Sequence, residues 1–194
     1  MASLGYNSSM TPYRLFICGG AWTGKTARAT QLASQQSEVI WIGTAANTVS
    51  GINERITTLK AARPSTWVNV DAPFNLVESL ADARKKYPNS LIVVDSVSQW
   101  IGNEIAKLSA KHDEWQLSEA IMREVDDLSV NLKSNIGSLI VVSSDFGQSP
   151  PAQEPASRVL RMCVGRANQQ IANIAVSIEL MMAGVVFSTT KKEF

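Results

Sequence analysis

The sequence predicts an α/β domain of three layers, with a mainly parallel central sheet and antiparallel strands at its C-terminal end. Three observations carry this. Short apolar runs alternate with segments whose apolar residues recur every three to four positions. Two of the runs, SLIVVD at 90–95 and SLIVVSSD at 138–145, carry an unbroken apolar, branched centre and an acid at the C-terminal end, which suits buried parallel strands. A glycine-rich turn joins the first run to the first helical segment.

Taken in order, a polar leader at 1–12 reads as disordered, and YRLFIC at 13–18 reads as the first strand. Gly19 and Gly20 stop it, and KTARATQLASQQ at 25–36 is compatible with a helix. EVIWIG at 38–43 is a second strand. The stretch at 50–62 becomes helical before Pro64 stops it, and TWVNVD at 66–71 alternates like a half-buried strand. Pro73 suits the first turn of a helix whose apolar stripe is Leu76, Leu80 and Ala83.

After the strand at 90–95 comes the longest helical stripe, Leu117, Ile121, Val125, Leu128 and Leu132, with Glu119, Arg123, Glu124 and Lys133 around it. FGQSPPAQEP at 146–155 is the long loop beyond the strand at 138–145. Leu160, Cys163 or Val164, Ala167, Ile171 and Ile174 form another helical stripe, and IELMMA with VVFST predict two closing strands around Gly184.

Composition narrows the function classes. A chain of 194 residues, 45% hydrophobic, buries a core without a disulfide or metal staple. Its 18 Lys plus Arg balance 17 Asp plus Glu, with no basic block for a phosphate backbone, so nucleic acid is not an expected partner. Cys18 and Cys163 stand far apart in apolar runs, which excludes a structural zinc site. The N-terminus lacks a basic segment followed by an apolar stretch, and the apolar stretch at 171–187 is too short and too punctuated by Asn173, Glu179 and Gly184 to span a bilayer. A cytoplasmic protein without membrane attachment is expected.

The chemistry starts at 19–26. GGAWTGKT matches G-x-x-x-x-G-K-[ST] between a predicted strand and a predicted helix, the setting in which that pattern cradles phosphates. The domain at 13–190 is therefore expected to be a three-layer P-loop NTPase-like, nucleotide-binding unit. Gly19, Gly20, Ala21, Trp22, Thr23 and Gly24 form the loop, Gly24 allowing close backbone approach. Lys25 is expected to contact the β and γ phosphates, and the Thr26 hydroxyl to ligate Mg²⁺. Asp95, ending its strand, either holds that metal or caps the segment after it, as Ser96 and Ser98 also can. Trp22 either packs over the nucleotide or covers the sheet edge.

These residues together resemble the bifunctional adenosylcobinamide kinase and adenosylcobinamide-phosphate guanylyltransferase family of vitamin B12 biosynthesis. The resemblance runs through GGAWTGKT, IGTA at 42–45, RITTLKAARPSTW at 55–67, VVDSVSQWIGN at 93–103, VSSDFG at 142–147 and GRANQ at 165–169. It implies phosphorylation of a corrinoid alcohol by ATP or GTP, followed by GMP transfer through a guanylylated histidine, in a homotrimer. It also implies nucleotide contacts for Thr44, Arg55, Arg63 and Asp71, with Lys60 on a further basic position. The chain departs from the family where that histidine belongs: Thr58 stands there, and the single histidine, His112, lies between predicted helices as an exposed residue or a cap. A threonine hydroxyl needs an adjacent base to become a nucleophile, whereas a neutral imidazole does not.

The sequence therefore predicts a P-loop kinase for a corrinoid-like acceptor and weakens the guanylyl transfer. Lys25, Asp95 and Asp145 are the expected catalytic residues, with Asp145 or Asp71 orienting the acceptor hydroxyl unless Asp145 only caps its own turn. The competing expectation is a nucleotide-binding regulatory or structural homologue without transfer chemistry.

Overall fold

The computed structural model describes residues 13–46, 52–135, 137–147 and 152–190, with backbone alone at 52–56 and 190. The elements run β1 (Arg14–Gly19), α1 (Lys25–Ala33), β2 (Val39–Gly43), α2 (Ile52–Ala61), β3 (Val68–Asp71), α3 (Leu76–Lys86) and β4 (Leu91–Asp95). They continue with α4 (Val97–Leu108), α5 (Glu114–Ser134), β5 (Leu139–Ser144), α6 (Pro155–Ile174), β6 (Ser177–Met182) and β7 (Val185–Thr190).

Among the described residues the strands form one sheet in the order β3-β2-β4-β5-β1-β6-β7. All pairs are parallel except β6 with β7. The expected closing strands are thus a hairpin whose first strand continues the parallel order beside β1, so that only β7 runs the other way. Ala183 and Gly184, both at positive φ, make the two-residue turn that suits the twist of a hairpin.

The apolar strand runs divide between two cores because successive side chains point to opposite faces. Phe16, Ile40, Ile42, Ile92, Val94 and Val141 meet the apolar stripes of α3, α4, α5 and α6. Leu15, Ile17, Trp41, Val93, Ile140 and Val142 meet Ala29 and Ala33 of α1 on the other face. These are the three layers that the alternation predicts.

Helix boundaries follow local chemistry. Asp113 and Gln116 form a reciprocal capping box that starts α5. Pro73 lies before α3 rather than in its first turn, since Asn75 takes the N-cap position and the Pro73 carbonyl accepts a hydrogen bond from Asn103 instead. Among the described residues no helix is long and apolar enough to cross a membrane.

Candidate active site

Six parallel strands point their C-terminal ends to one edge of the sheet, where ligands of open α/β sheets bind. β1 ends there in the glycine loop. Gly24 sits at the N-cap of α1 with φ 95°, and no side chain caps that helix. The first-turn N–H groups of α1 are consequently left for an incoming anion. Gly19 has a different reason to be glycine. Its φ is 152°, and a Cβ there would collide with the carbonyl of Met181 on the neighbouring β6. Trp22, at φ 62°, is 84% exposed and so contributes little cover to the sheet edge.

Lys25 is only 8% exposed, and its ammonium donates to the Gly20 carbonyl at 2.5 Å. Burial pulls its pKa down, with Cys18 and Asp95 pulling the other way. The chain therefore curls the lysine back across its own loop, beside the space where phosphates enter. From the first turn of α1, Thr26 Oγ1 donates to Asp95 Oδ1 at 3.3 Å.

Asp95 ends β4 and is bracketed by backbone ties. The Thr44 amide donates to the Asp95 carbonyl at 3.0 Å. The Thr44 hydroxyl donates to the Ser96 carbonyl at 2.7 Å and accepts from the Ser96 amide at 2.8 Å. Thr44 is completely buried, so this hydroxyl serves the β2–β4 junction rather than facing outward. Asn103 of α4 holds the same junction, donating to the carbonyls of Thr44 at 2.7 Å and Pro73 at 2.9 Å. Ser96 accepts from the Gln99 amide and caps α4, while Ser98 accepts from the Ser144 amide at 3.0 Å and links α4 to β5. Asn103 has no recognisable role from its spacing, and Ser98, expected as a candidate cap, instead ties α4 to β5; both lie within VVDSVSQWIGN at 93–103.

The basic positions after β2 form a separate group. Both oxygens of Asp71 are held by Lys60 Nζ, at 2.5 and 2.7 Å. Arg63 lies over the Trp41 ring at 4.0 Å and donates to Asn69 Oδ1 at 2.6 Å. Trp41 in turn stacks on Trp67. Burial lowers the pKa of Arg63, against the opposing pull of Asp95 and Asp71. Arg55 belongs to α2, but its side chain lies outside the described residues. Thr58 is an exposed residue of α2. His112 is in the turn between α4 and α5, with Nδ1 at 3.1 Å from the Leu108 carbonyl, so it closes the end of α4.

Asp145 follows β5 directly. Its amide donates to the Gly19 carbonyl at 2.9 Å, and its Oδ1 accepts from the Gly147 amide at 2.8 Å. One carboxylate oxygen thus caps the local turn, while the residue also lines a cavity of about 410 Å³ against α6. Asn168 of α6 holds this strand end, donating to the Ser144 carbonyl at 2.9 Å and facing Cys18 Sγ at 3.7 Å.

Thr26 and Asp95 suit a small divalent ion. Cis ligands of an octahedral Mg²⁺ at 2.0–2.1 Å stand roughly 3 Å apart, near the observed 3.3 Å separation. Among the described residues no three His, Cys, Asp or Glu gather into a metal cluster, so phosphate and water would complete the shell. That is the usual habit of Mg²⁺.

Known proteins align with this arrangement. The family described as cobinamide kinase / cobinamide phosphate guanyltransferase matches residues 15–189. The bifunctional adenosylcobalamin biosynthesis protein CobU of Escherichia coli K12 is 25% identical over 177 residues, covering 88% of this chain and 96% of its own. The protein of the same name from Salmonella typhimurium LT2 is 24% identical over 176 residues, with the same two coverages of 88% and 96%.

In fold, the chain is similar to an ATPase from the type III secretion system of pathogenic bacteria, at a TM-score of 0.59 and 12% identity, covering 89% of this chain and 51% of that one. It is also similar to the ATPase EscN of enteropathogenic E. coli, at a TM-score of 0.55 and 13% identity over 89% of this chain and 42% of that one. The chain thus spans about half of each ATPase, and the likeness concerns the fold alone. With the family matched along nearly all of its elements, the chain belongs to the cobinamide kinase / cobinamide phosphate guanyltransferase family of nucleotide-dependent phosphotransferases.

Proposed function

We propose that this protein transfers the γ-phosphoryl group of ATP or GTP to an alcohol of adenosylcobinamide or a related corrinoid, and that it does not carry GMP. The observation that supports the kinase step most directly is the convergence of Lys25, Thr26 and Asp95 at the start of α1. Gly20, Ala21, Trp22, Thr23 and Gly24 would wrap the phosphates, with backbone N–H groups supplying donors. Lys25 would leave the Gly20 carbonyl and neutralise charge on the transferring group. Thr26 and Asp95 would hold Mg²⁺, which when bound spreads the charge of the β and γ oxygens.

For the acceptor hydroxyl, Asp145 is the better placed carboxylate. Lys60 engages both oxygens of Asp71, whereas Asp145 spends one oxygen on its own turn and borders a cavity. Asp71, Lys60 and Arg63 would instead set the charge beside the nucleotide. Thr44 would act through the β2–β4 junction rather than by direct contact.

Thr58 supports the loss of guanylyl transfer. It is an exposed hydroxyl with no imidazole chemistry, and His112 is engaged at the end of α4. We extend the reading to a cytoplasmic homotrimer, formed by a single nucleotide-binding domain at 13–190, on family resemblance.

Incubation with adenosylcobinamide, Mg²⁺ and either ATP or GTP tests the kinase step by mass analysis of the product. Phosphorylated corrinoid is expected; nucleotide binding without acceptor-dependent turnover would point to a binding protein without transfer chemistry. Intact-protein mass after exposure to GTP tests the second step. No adduct is expected, and GMP mapped to Thr58 or His112 would overturn that part. Sedimentation velocity reads the assembly.

A further inference from the structure

Among the described residues, one face of α6 packs against no other element. The core takes Val159, Cys163, Val164, Ala167 and Ile171. Met162, Gly165, Arg166 and Gln169 recur at helical spacing on another face and line the cavity of about 410 Å³, together with Phe146 and Asp145. Arg158 and Arg161 brace its rim. Arg158 pairs with Glu114 at 2.6 Å, and Arg161 donates to the Gly147 carbonyl at 2.6 Å.

Two features mark the cavity as a place for a ligand. Arg166 and Gln169 make no hydrogen bond or ion pair among the described residues, so their donors are available. Gly165 interrupts a 20-residue helix at a cost in helix propensity, yet a Cβ there would meet nothing within 4 Å among the described residues. Neither packing nor backbone conformation calls for a glycine. What its absent side chain leaves open is the cavity.

The location ties this space to the phosphate loop. Asp145, on the cavity wall, donates its amide to the Gly19 carbonyl at 2.9 Å, where that loop begins. The chemistry of the wall is an apolar floor from Phe146 and Met162 with guanidinium and amide donors above it. A corrin rim offers the complement: methylated ring edges next to neutral carboxamide arms whose carbonyls accept hydrogen bonds. The volume suits one such arm with its adjoining edge rather than a whole macrocycle.

We propose that this cavity is the acceptor subsite, in which Arg166 and Gln169 hold carboxamide oxygens of the corrin rim and Gly165 leaves the room for them. The proposal rests on the kinase reading above. It assigns acceptor specificity to α6, apart from the residues that grip the nucleotide.

Two variants test it. Gly165→Leu fills the space, and Arg166→Ala/Gln169→Ala removes the donors from exposed positions. Acceptor KM and nucleotide KM are measured by product mass, and cobinamide affinity by equilibrium dialysis read from its visible absorbance. Both variants should raise acceptor KM and cobinamide Kd about tenfold or more, with nucleotide affinity unchanged, as loss of one or two hydrogen bonds requires. Gly165→Leu should keep or raise the melting temperature, and Arg166→Lys should recover part of the lost affinity. Unchanged acceptor affinity in both variants would overturn the subsite, as would an equal loss of nucleotide affinity. If the wild-type protein forms no phosphorylated product, the kinase reading fails, while dialysis of cobinamide against wild type and Gly165→Leu still decides the subsite.

Discussion

Thr26 Oγ1 lies 3.3 Å from Asp95 Oδ1, although β1 and β4, the strands that lead to these residues, are separated by β5. Two strand spacings amount to about 9.6 Å, more than a threonine side chain can bridge. The helix makes the difference. As α1 leaves the loop it crosses the face of the sheet, and its first turn carries Thr26 over β5 toward the end of β4.

Lys25→Ala should lower kcat for phosphoryl transfer by about 10²–10³-fold, the usual loss when one donor to transition-state charge is removed. The fold should survive, because the ammonium is buried against a single carbonyl and its charge is opposed by burial. Single-turnover rates together with a thermal melt separate the two effects. A variant with near-normal turnover would remove Lys25 from the mechanism.

Thr44→Val keeps the shape of a buried residue but deletes a hydroxyl that serves Ser96 twice. It should cost about 1–3 kcal/mol in chemical denaturation, since the Ser96 amide and carbonyl are left without that partner. Activity should fall through kcat with nucleotide affinity retained, because the end of β4 carrying Asp95 loses one of its ties.

Gly19→Ala should destabilise the protein by roughly 2–3 kcal/mol or more. Its φ of 152° disfavours a side chain, and the new Cβ would press on the Met181 backbone of β6. Gly20 has only the Thr23 methyl group near its Cβ direction, at 3.6 Å, so Gly20→Ala should cost less stability. Equal denaturation midpoints for the two variants would contradict this assignment.

Alkaline pH should unfold the protein from within. Burial pushes the Cys163 thiol from 9.0 up to about 11, and burial followed by the nearby Asp145 does the same for Cys18. A raised folded pKa means that the native state holds these protons longer than the unfolded chain. The resulting stability is complete below pH 9 and is lost as pH rises through about 11. Cys163→Ala should flatten the decline by about 2–3 kcal/mol over that span. Denaturant titrations at pH 8, 9, 10 and 11 provide the measurement.

The strand–loop–helix setting of GGAWTGKT, the strand ending at Asp95 and the closing hairpin are legible because each is encoded within a few residues. The same holds for the apolar stripe of α5, whose five named positions are all buried. Other features depend on partners far along the chain. The family resemblance implies a nucleotide contact for Thr44, and only the fold shows that Ser96, 52 residues away, engages its hydroxyl on both sides. Asp71 is expected beside the nucleotide or the acceptor hydroxyl, and only the fold shows Lys60 on both of its oxygens. Gly19 reads as part of a phosphate cradle, yet β6 also requires it.

By itself the sequence determined the elements, the phosphate loop and the family resemblance, all carried by residue identity and short spacing. Only the tertiary structure decided that β5 enters between β1 and β4, that α1 brings Thr26 to Asp95, and that the outer face of α6 borders a cavity beside the phosphate loop. The reason is physical. Propensity and periodicity act over a few residues, whereas strand order and the space between elements are set by which distant apolar faces bury one another.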